Sequence, residues 1–245
     1  MTLVSRTAAE PTRTRGYKKK QRTRRALIRA AVDEIAEHGD GFTILDVTRR
    51  AEVSNGTFYN HFDDRDALVD AVVEEVMGSF VTTSADLVDV DDAIRRFAAI
   101  TSLLLERCAA SPRLATVMLR LQSLAHFDDW QDDPFRHLRD DLQTAVEQGR
   151  LTTDPTVAAV DLVTGTLFRA VRRISSSGPD PEYQADVIRL LLQTFGLEEF
   201  EARHVAAEAV ATAPHLDREY QSLDPLLSHA SPNPSTLASR DEPTR

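Results

Sequence analysis

Nine consecutive residues, Ser54-Asn55-Gly56-Thr57-Phe58-Tyr59-Asn60-His61-Phe62, carry the densest polar chemistry of this chain. Two amides, two hydroxyls, a phenol and an imidazole are gathered around a glycine. The chemistry they offer is hydrogen bonding to a polar partner rather than bond breaking. No Ser-His-Asp, HExxH, CxxC or phosphate-loop pattern accompanies them. Ser54 is of the type that caps a helix, and Thr43 can cap another eleven residues earlier. The stretch 43–62 therefore predicts two short helices, about 44–51 and 55–62, with the turn Ala51-Glu52-Val53-Ser54 between them. Ile44, Val47, Ala51, Val53 and Phe58 would pack the pair together. Asn55, Gly56, Thr57, Tyr59, Asn60 and His61 would face outward. This is helix-turn-helix spacing. A short helix enters the major groove of B-DNA end-on, and its first residues reach base edges. Taken alone, the two helices also fit a plain helical hairpin with an exposed tyrosine.

The elements around this segment read as helices throughout. The chain has 245 residues but only 9 glycines, and proline is absent from Thr12 to Ser111. Leu27, Ile28, Ala31, Val32 and Ile35 predict an amphipathic helix from Gln21 to about His38. A long helix follows the motif from Arg65 to about Thr82. Further helices are expected at about 92–110, 112–127, 134–149, 155–175, 181–196 and 198–211. Pro112, Pro134, Pro155 and Pro181 are each expected in a first turn, where a missing N–H costs nothing. The segment 1–20 reads as a basic disordered arm, and 213–245, with five prolines, as a disordered tail.

Charge is divided along the chain. The net charge is −10, which argues against a uniformly basic nucleic-acid binder. Residues 1–62, however, hold 12 Lys/Arg and 7 Asp/Glu, whereas 63–245 hold 17 and 32. Lys18, Lys19, Lys20 and Arg22 lie just ahead of the motif, where a basic arm can follow the DNA backbone. A solvated tail and a membrane-surface patch are the other readings, but no apolar face accompanies the charges. One cysteine, Cys108, excludes an intrachain disulfide framework and points to a reducing cytoplasm. No run of 18 apolar residues exists, so no membrane contact is expected.

Residues 54–62, with Arg65 and Leu68 after them, resemble the recognition helix and following helix of TetR-family regulators. The specific resemblance covers about 21–76. Over 77–212 it extends only to helix count and order, including Gln148-Gly149-Arg150-Leu151 ahead of the Pro155-led helix. It implies an all-α fold: a three-helix DNA-binding domain at 21–65 and a helical effector-binding and dimerisation domain at 66–212. It implies a dimeric, ligand-responsive transcriptional regulator, a repressor on a palindromic operator. By position, Thr57, Tyr59, His61, Thr43 and Arg65 are expected on phosphate. Asn55 and Asn60 are expected on bases, where an asparagine amide can pair bidentately with adenine. Gly56 belongs to the same helix, and Thr48 and Arg49 are expected at the groove edge. The sequence departs from the family's Ala-Gly-Val turn at Glu52. A positive φ there costs a non-glycine residue roughly 1–2 kcal/mol.

The acidic body exceeds what DNA binding requires. The helix at 155–175 is apolar almost all round, and the resemblance implies that it and the next helix pair with their copies. Val163, Leu167, Val171, Val187, Leu191 and Phe195 are the expected dimer contacts. A pocket for a small-molecule effector is expected among Phe80, Leu104, Cys108, Met118, Leu121, Gln122, His126, Trp130 and Phe168, although each also suits an ordinary core. His126, His137 and the acids of 128–133 lack metal-site spacing, so neither metal nor cofactor is expected. The competing functions are a sequence-tolerant DNA-organising protein using the basic arm and a helical enzyme.

Overall fold

The computed structural model of the protein describes residues 15–88, 91–124 and 136–223. All regular structure among them is helical. The chain divides into two compact units, 1–72 and 73–245.

The first unit is built on α1 (Arg15–His38), a one-turn 3-10 helix (Gly39–Gly41), α2 (Ile44–Arg50), α3 (Asn55–Tyr59) and the opening turns of α4 (Arg65–Leu87). Leu27, Ala31, Ile35, Val47, Phe58, Leu68 and Val72 are wholly buried in their unit or nearly so. Such spacing gives each helix one apolar stripe, and the stripes bury against one another. The helices α1 and α2 are also joined by charge. The Arg50 guanidinium holds both carboxylate oxygens of Glu37, at 2.8 and 2.6 Å, and one of Glu34 at 2.7 Å. Glu34 is buried and its other oxygen meets His38 Nδ1 at 2.9 Å. Arg65 lies over the Phe42 ring and donates to the Asp40 carbonyl, fixing the start of α4 against the 3-10 turn.

The second unit contains the rest of α4, then α5 (Ala93–Ala110), α6 (Pro112–Leu124), α7 (Arg136–Glu147), α8 (Val157–Ser177), α9 (Pro181–Thr194) and α10 (Glu199–Leu223). Asp92, Thr156 and Asp180 cap their helices with side-chain oxygens. Helix α5 is central: α10, α7, α8, α6 and α9 all pack on it. Arg150, in the connection after α7, ties Asp92 at the start of α5 to Glu201 on α10.

Several boundaries differ from expectation. The basic segment does not stay irregular to residue 20, because α1 already begins at Arg15. Lys, Arg and Gln are good helix formers, and one exposed glycine costs only about 1 kcal/mol. The first compact unit closes at Val72 rather than at 65, since Leu68, Val69 and Val72 bury their side chains. Helix α3 stops at Tyr59, with Asn60 as its cap and a tightened His61 N–H to Phe58 carbonyl bond. Pro155 precedes the Thr156 cap instead of opening α8. The largest difference is α10, which runs to Leu223 through Pro214. Ala202, Val205, Ala206, Ala209, Ala213 and Tyr220 extend one buried stripe across the proline. Burial of that stripe outweighs the roughly 3 kcal/mol that an interior proline costs. Within the tail expected at 213–245, residues 213–223 are therefore helical.

Candidate nucleic-acid interface

The helix pair is set by its caps. The Thr43 hydroxyl accepts from the Asp46 N–H at 3.2 Å, and the Asp46 carboxylate accepts from the Thr43 N–H at 3.0 Å. This reciprocal box satisfies two N–H groups that a helix start leaves open. The Thr43 hydroxyl and then its backbone N–H hold the Asp46 carboxyl below its ordinary pKa of 3.8. Ser54 caps α3 in the same way, accepting from the Thr57 N–H at 3.2 Å. Between the helices, Glu52 takes φ 55°, the only positive value at a non-glycine residue among those described. The bond from Val53 N–H to the Thr48 carbonyl, at 3.0 Å, closes that turn.

This geometry exposes one face of α3 and its cap. Asn55, Gly56, Tyr59 and Asn60 are exposed, and Thr57 and His61 are half-buried. Tyr59 leaves 57% of its surface open while its ring stands edge-on against buried Phe58, 5.2 Å between centroids. The nearest atom to a side chain built at Gly56 would be Ser54 Oγ at 3.8 Å, so no crowding within the chain explains the glycine there. His61 is held below its ordinary pKa of 6.5, first by burial and then by the positive charges of Lys20 and Arg24. Both effects disfavour its cationic form. Arg49 is exposed, near Asp46 at 3.8 Å. Lys18, Lys19, Lys20 and Arg22 are exposed on the first turns of α1.

Two expected contacts are placed differently. Thr48 is 2% exposed and cannot reach a groove edge. Its hydroxyl lies 2.8 Å from Asn55 Oδ1 and 3.1 Å from the Leu45 carbonyl. Arg65 is only partly free, engaged by Phe42 and Asp40. Sequence reading missed Leu45, which is 52% exposed one helical turn before Thr48. Its signal was a large apolar type at an outward position of an amphipathic helix. It also missed Arg50 and the continuation of the α1 stripe beyond Arg22 at Arg25 and Arg29; with Tyr17, Lys18, Arg22 and Glu52 these line a groove of about 820 Å³. The 4-3-4 spacing from Lys18 to Arg29 was the available signal.

In the second unit, the expected effector residues are only partly gathered. Phe80, Leu103 and Tyr220 form one core cluster, with Leu104 packed against it. Cys108, Met118 and Leu121 are buried, and Phe168 is half-buried. Burial pushes the Cys108 thiol up to about 12. Gln122 is exposed and does not belong to an enclosed pocket. His126 and Trp130 lie outside the described residues. Most of the expected dimer contacts are spent within the chain: Val163, Val171, Val187, Leu191 and Phe195 are each 6% exposed or less. A partner can bury nothing further there, and Leu167 is only half-buried. The apolar groups that α8 and α9 leave open are Val157, Leu162 and Leu190, each about half exposed. Among the described residues, no helix is long and apolar enough to cross a membrane.

Residues 27–72 match the family described as bacterial regulatory proteins, tetR family. An HTH-type transcriptional regulator of Bacillus subtilis, YxbF, is 38% identical over 55 residues, 22% of this chain and 14% of that protein's length. Among solved structures, RolR in complex with resorcinol is similar over 78% of this chain and 95% of its own, with 26% identity and a TM-score of 0.53. TylP, a TetR regulator from Streptomyces fradiae, is similar over 80% of this chain and 97% of its own, with 22% identity and a TM-score of 0.58. A gamma-butyrolactone receptor, ArpA-like, is similar over 82% and 99%, with 21% identity and a TM-score of 0.52. The matched amino-terminal segment, the helix pair with its exposed polar face and the helical fold make the chain similar to TetR-family transcriptional regulators, most specifically over residues 27–72.

Proposed function

We propose that the chain binds a palindromic duplex operator as a homodimer and represses transcription from it until a small molecule binds the second unit. The observation that carries the reading is the exposed face of α3, Asn55, Gly56, Tyr59 and Asn60, beside the exposed cations of α1. Asn55 and Asn60 read base edges. Tyr59 and Thr57 donate to phosphate, and His61 does so as a neutral N–H donor. Lys18, Lys19, Lys20 and Arg22 hold the backbone electrostatically, so affinity falls with salt by about one counterion per phosphate contact.

One recognition helix reads only a few base pairs. Two, roughly 34–36 Å apart, read a palindrome. The surface for pairing is the outer face of α8 and α9. Leu162, Gly165, Thr166 and Arg169 share one side of α8 by their spacing, and Asp186, Leu190 and Thr194 share one side of α9. Gly165 has no neighbour within 4 Å of the position its Cβ would take, which leaves room for close helix approach. RolR, 26% identical, is solved with resorcinol bound, which supports a small-molecule effector in the second unit.

Quantitative footprinting on the DNA upstream of the chain's own gene tests the proposal. Protection of one short palindrome at nanomolar protein is the expected result. Uniform coverage would instead mark a sequence-tolerant DNA-organising protein. Tyr59→Ala is expected to weaken binding to every site alike.

A further inference from the structure

We infer that Thr48 is a positioning residue that fixes the sense in which Asn55 reads a base. The inference rests on the reading of α3 as the helix in the major groove, and it names the base chemistry that helix selects.

Thr48 is 2% exposed, on the face of α2 turned toward α3. Two acceptors lie near its hydroxyl, Asn55 Oδ1 at 2.8 Å and the Leu45 carbonyl at 3.1 Å. The Leu45 carbonyl also belongs to the backbone ladder of α2, which has its own donor four residues on. The nearer and otherwise unserved acceptor is Oδ1, so the hydroxyl donates to Asn55. That bond turns the Asn55 carbonyl inward, toward a group without access to solvent. The amide nitrogen makes no bond among the described residues, and Asn55 itself is exposed.

An asparagine held this way presents a donor and withholds its acceptor. Bidentate pairing with adenine needs both: the oxygen to accept from N6 and the nitrogen to donate to N7. Guanine, with O6 and N7, and thymine, with O4, offer acceptors on the same edge, whereas adenine and cytosine bring an amino group toward the amide. The structure thus assigns Asn55 to a guanine or thymine, in place of the adenine expected from the residue type alone.

The test is selection from a library of random duplexes by the full chain, followed by affinities on duplexes varied at single pairs. Wild type is compared with Asn55→Ala, Thr48→Ser, Thr48→Val and Thr48→Ala. Asn55→Ala is expected to lose discrimination at one pair of each half-site, which identifies the pair that residue 55 reads. There, wild type and Thr48→Ser prefer guanine or thymine by about tenfold. Both hydroxyl-free variants release the amide, so their preference moves to adenine or levels out, while preferences at the other pairs stay as in wild type. A merely structural role of Thr48 would lower affinity evenly across pairs. The inference fails if wild type prefers adenine at that pair, if the hydroxyl-free variants keep the wild-type profile, or if Asn55→Ala changes no pair. A wild-type chain that enriches no sequence overturns the DNA-binding reading itself, a different failure from the three just named.

Discussion

Glu52 holds a conformation in which its Cβ is crowded by its own backbone. At φ 55° a non-glycine residue costs roughly 1–2 kcal/mol. Glu52→Gly is therefore expected to stabilise the first unit by about 1 kcal/mol, after the extra freedom glycine gains in the unfolded chain. Thermal unfolding checks this, and an unchanged or lower midpoint would contradict it. Gly56 poses the opposite problem. A Cβ there meets nothing closer than 3.8 Å, and alanine is the better helix former by about 1 kcal/mol. Gly56→Ala is expected to raise the melting temperature while lowering DNA affinity, because the glycine leaves space for a partner outside the chain. Parallel gains in both quantities would remove α3 from the DNA. For His61, burial and the charges of Lys20 and Arg24 keep the folded pKa below 6.5. The unfolded chain then takes up its proton first as pH falls. Stability due to this group is complete above pH 6.5 and declines below it until the folded imidazole also titrates. Denaturant unfolding between pH 5 and 8 should show wild type losing more stability on acidification than His61→Gln. Equal slopes would mean that the imidazole is not disfavoured as a cation.

The elements of the first unit were legible in the sequence because their signals are local. Thr43 and Ser54 are cap types at the right distance ahead of apolar positions, and both act as caps. What was not legible there depends on contacts between elements. Thr48 lies on the hidden side of α2 only because α3 packs over it, and no propensity shows that. Arg50 reads as a surface cation, yet it gathers the acids of α1 from thirteen and more residues away. Helix α10 shows how a strong local signal misleads. Pro214 is a breaker, but it is exposed and its neighbours Ala213 and Tyr220 are buried. Pro214→Ala is expected to stabilise the second unit by roughly 2 kcal/mol, up to the full cost of an interior proline. Tyr220→Ala is expected to destabilise it by about 3–4 kcal/mol, since it removes a large ring packed on Phe80 and beneath Arg107. If Tyr220→Ala melts like wild type, the last turns of α10 do not belong to the core.

For the molecule as a whole, the sequence showed its charge pattern more clearly than its assembly. The excess of basic residues in 1–62 and of acidic residues in 63–245 needs no structure to be seen. The division between core and open apolar groups on α8 and α9 did need one, because periodicity marks which residues are apolar and not what buries them. Val163 and Leu191 serve the chain's own core, whereas Leu162 and Leu190, their neighbours in sequence, are half exposed. Leu190→Glu, or Leu162→Glu, is expected to yield a folded monomer by sedimentation and to lower operator affinity at least tenfold, because each half-site is then bound alone. A dimer unaffected by both changes would place the pairing surface elsewhere.

The buried sulfur of Cys108 has a practical consequence. It is the chain's only cysteine, it is wholly enclosed, and its thiol is pushed up to about 12. Thiol-directed dyes and spin labels react with thiolate and would leave it untouched at neutral pH. A cysteine introduced at an exposed position outside both proposed surfaces, such as Phe200 on α10, 87% exposed, would be the single reactive handle on an otherwise native chain. Distance measurements that test the proposed pairing of copies, with and without DNA, therefore need no background mutation first.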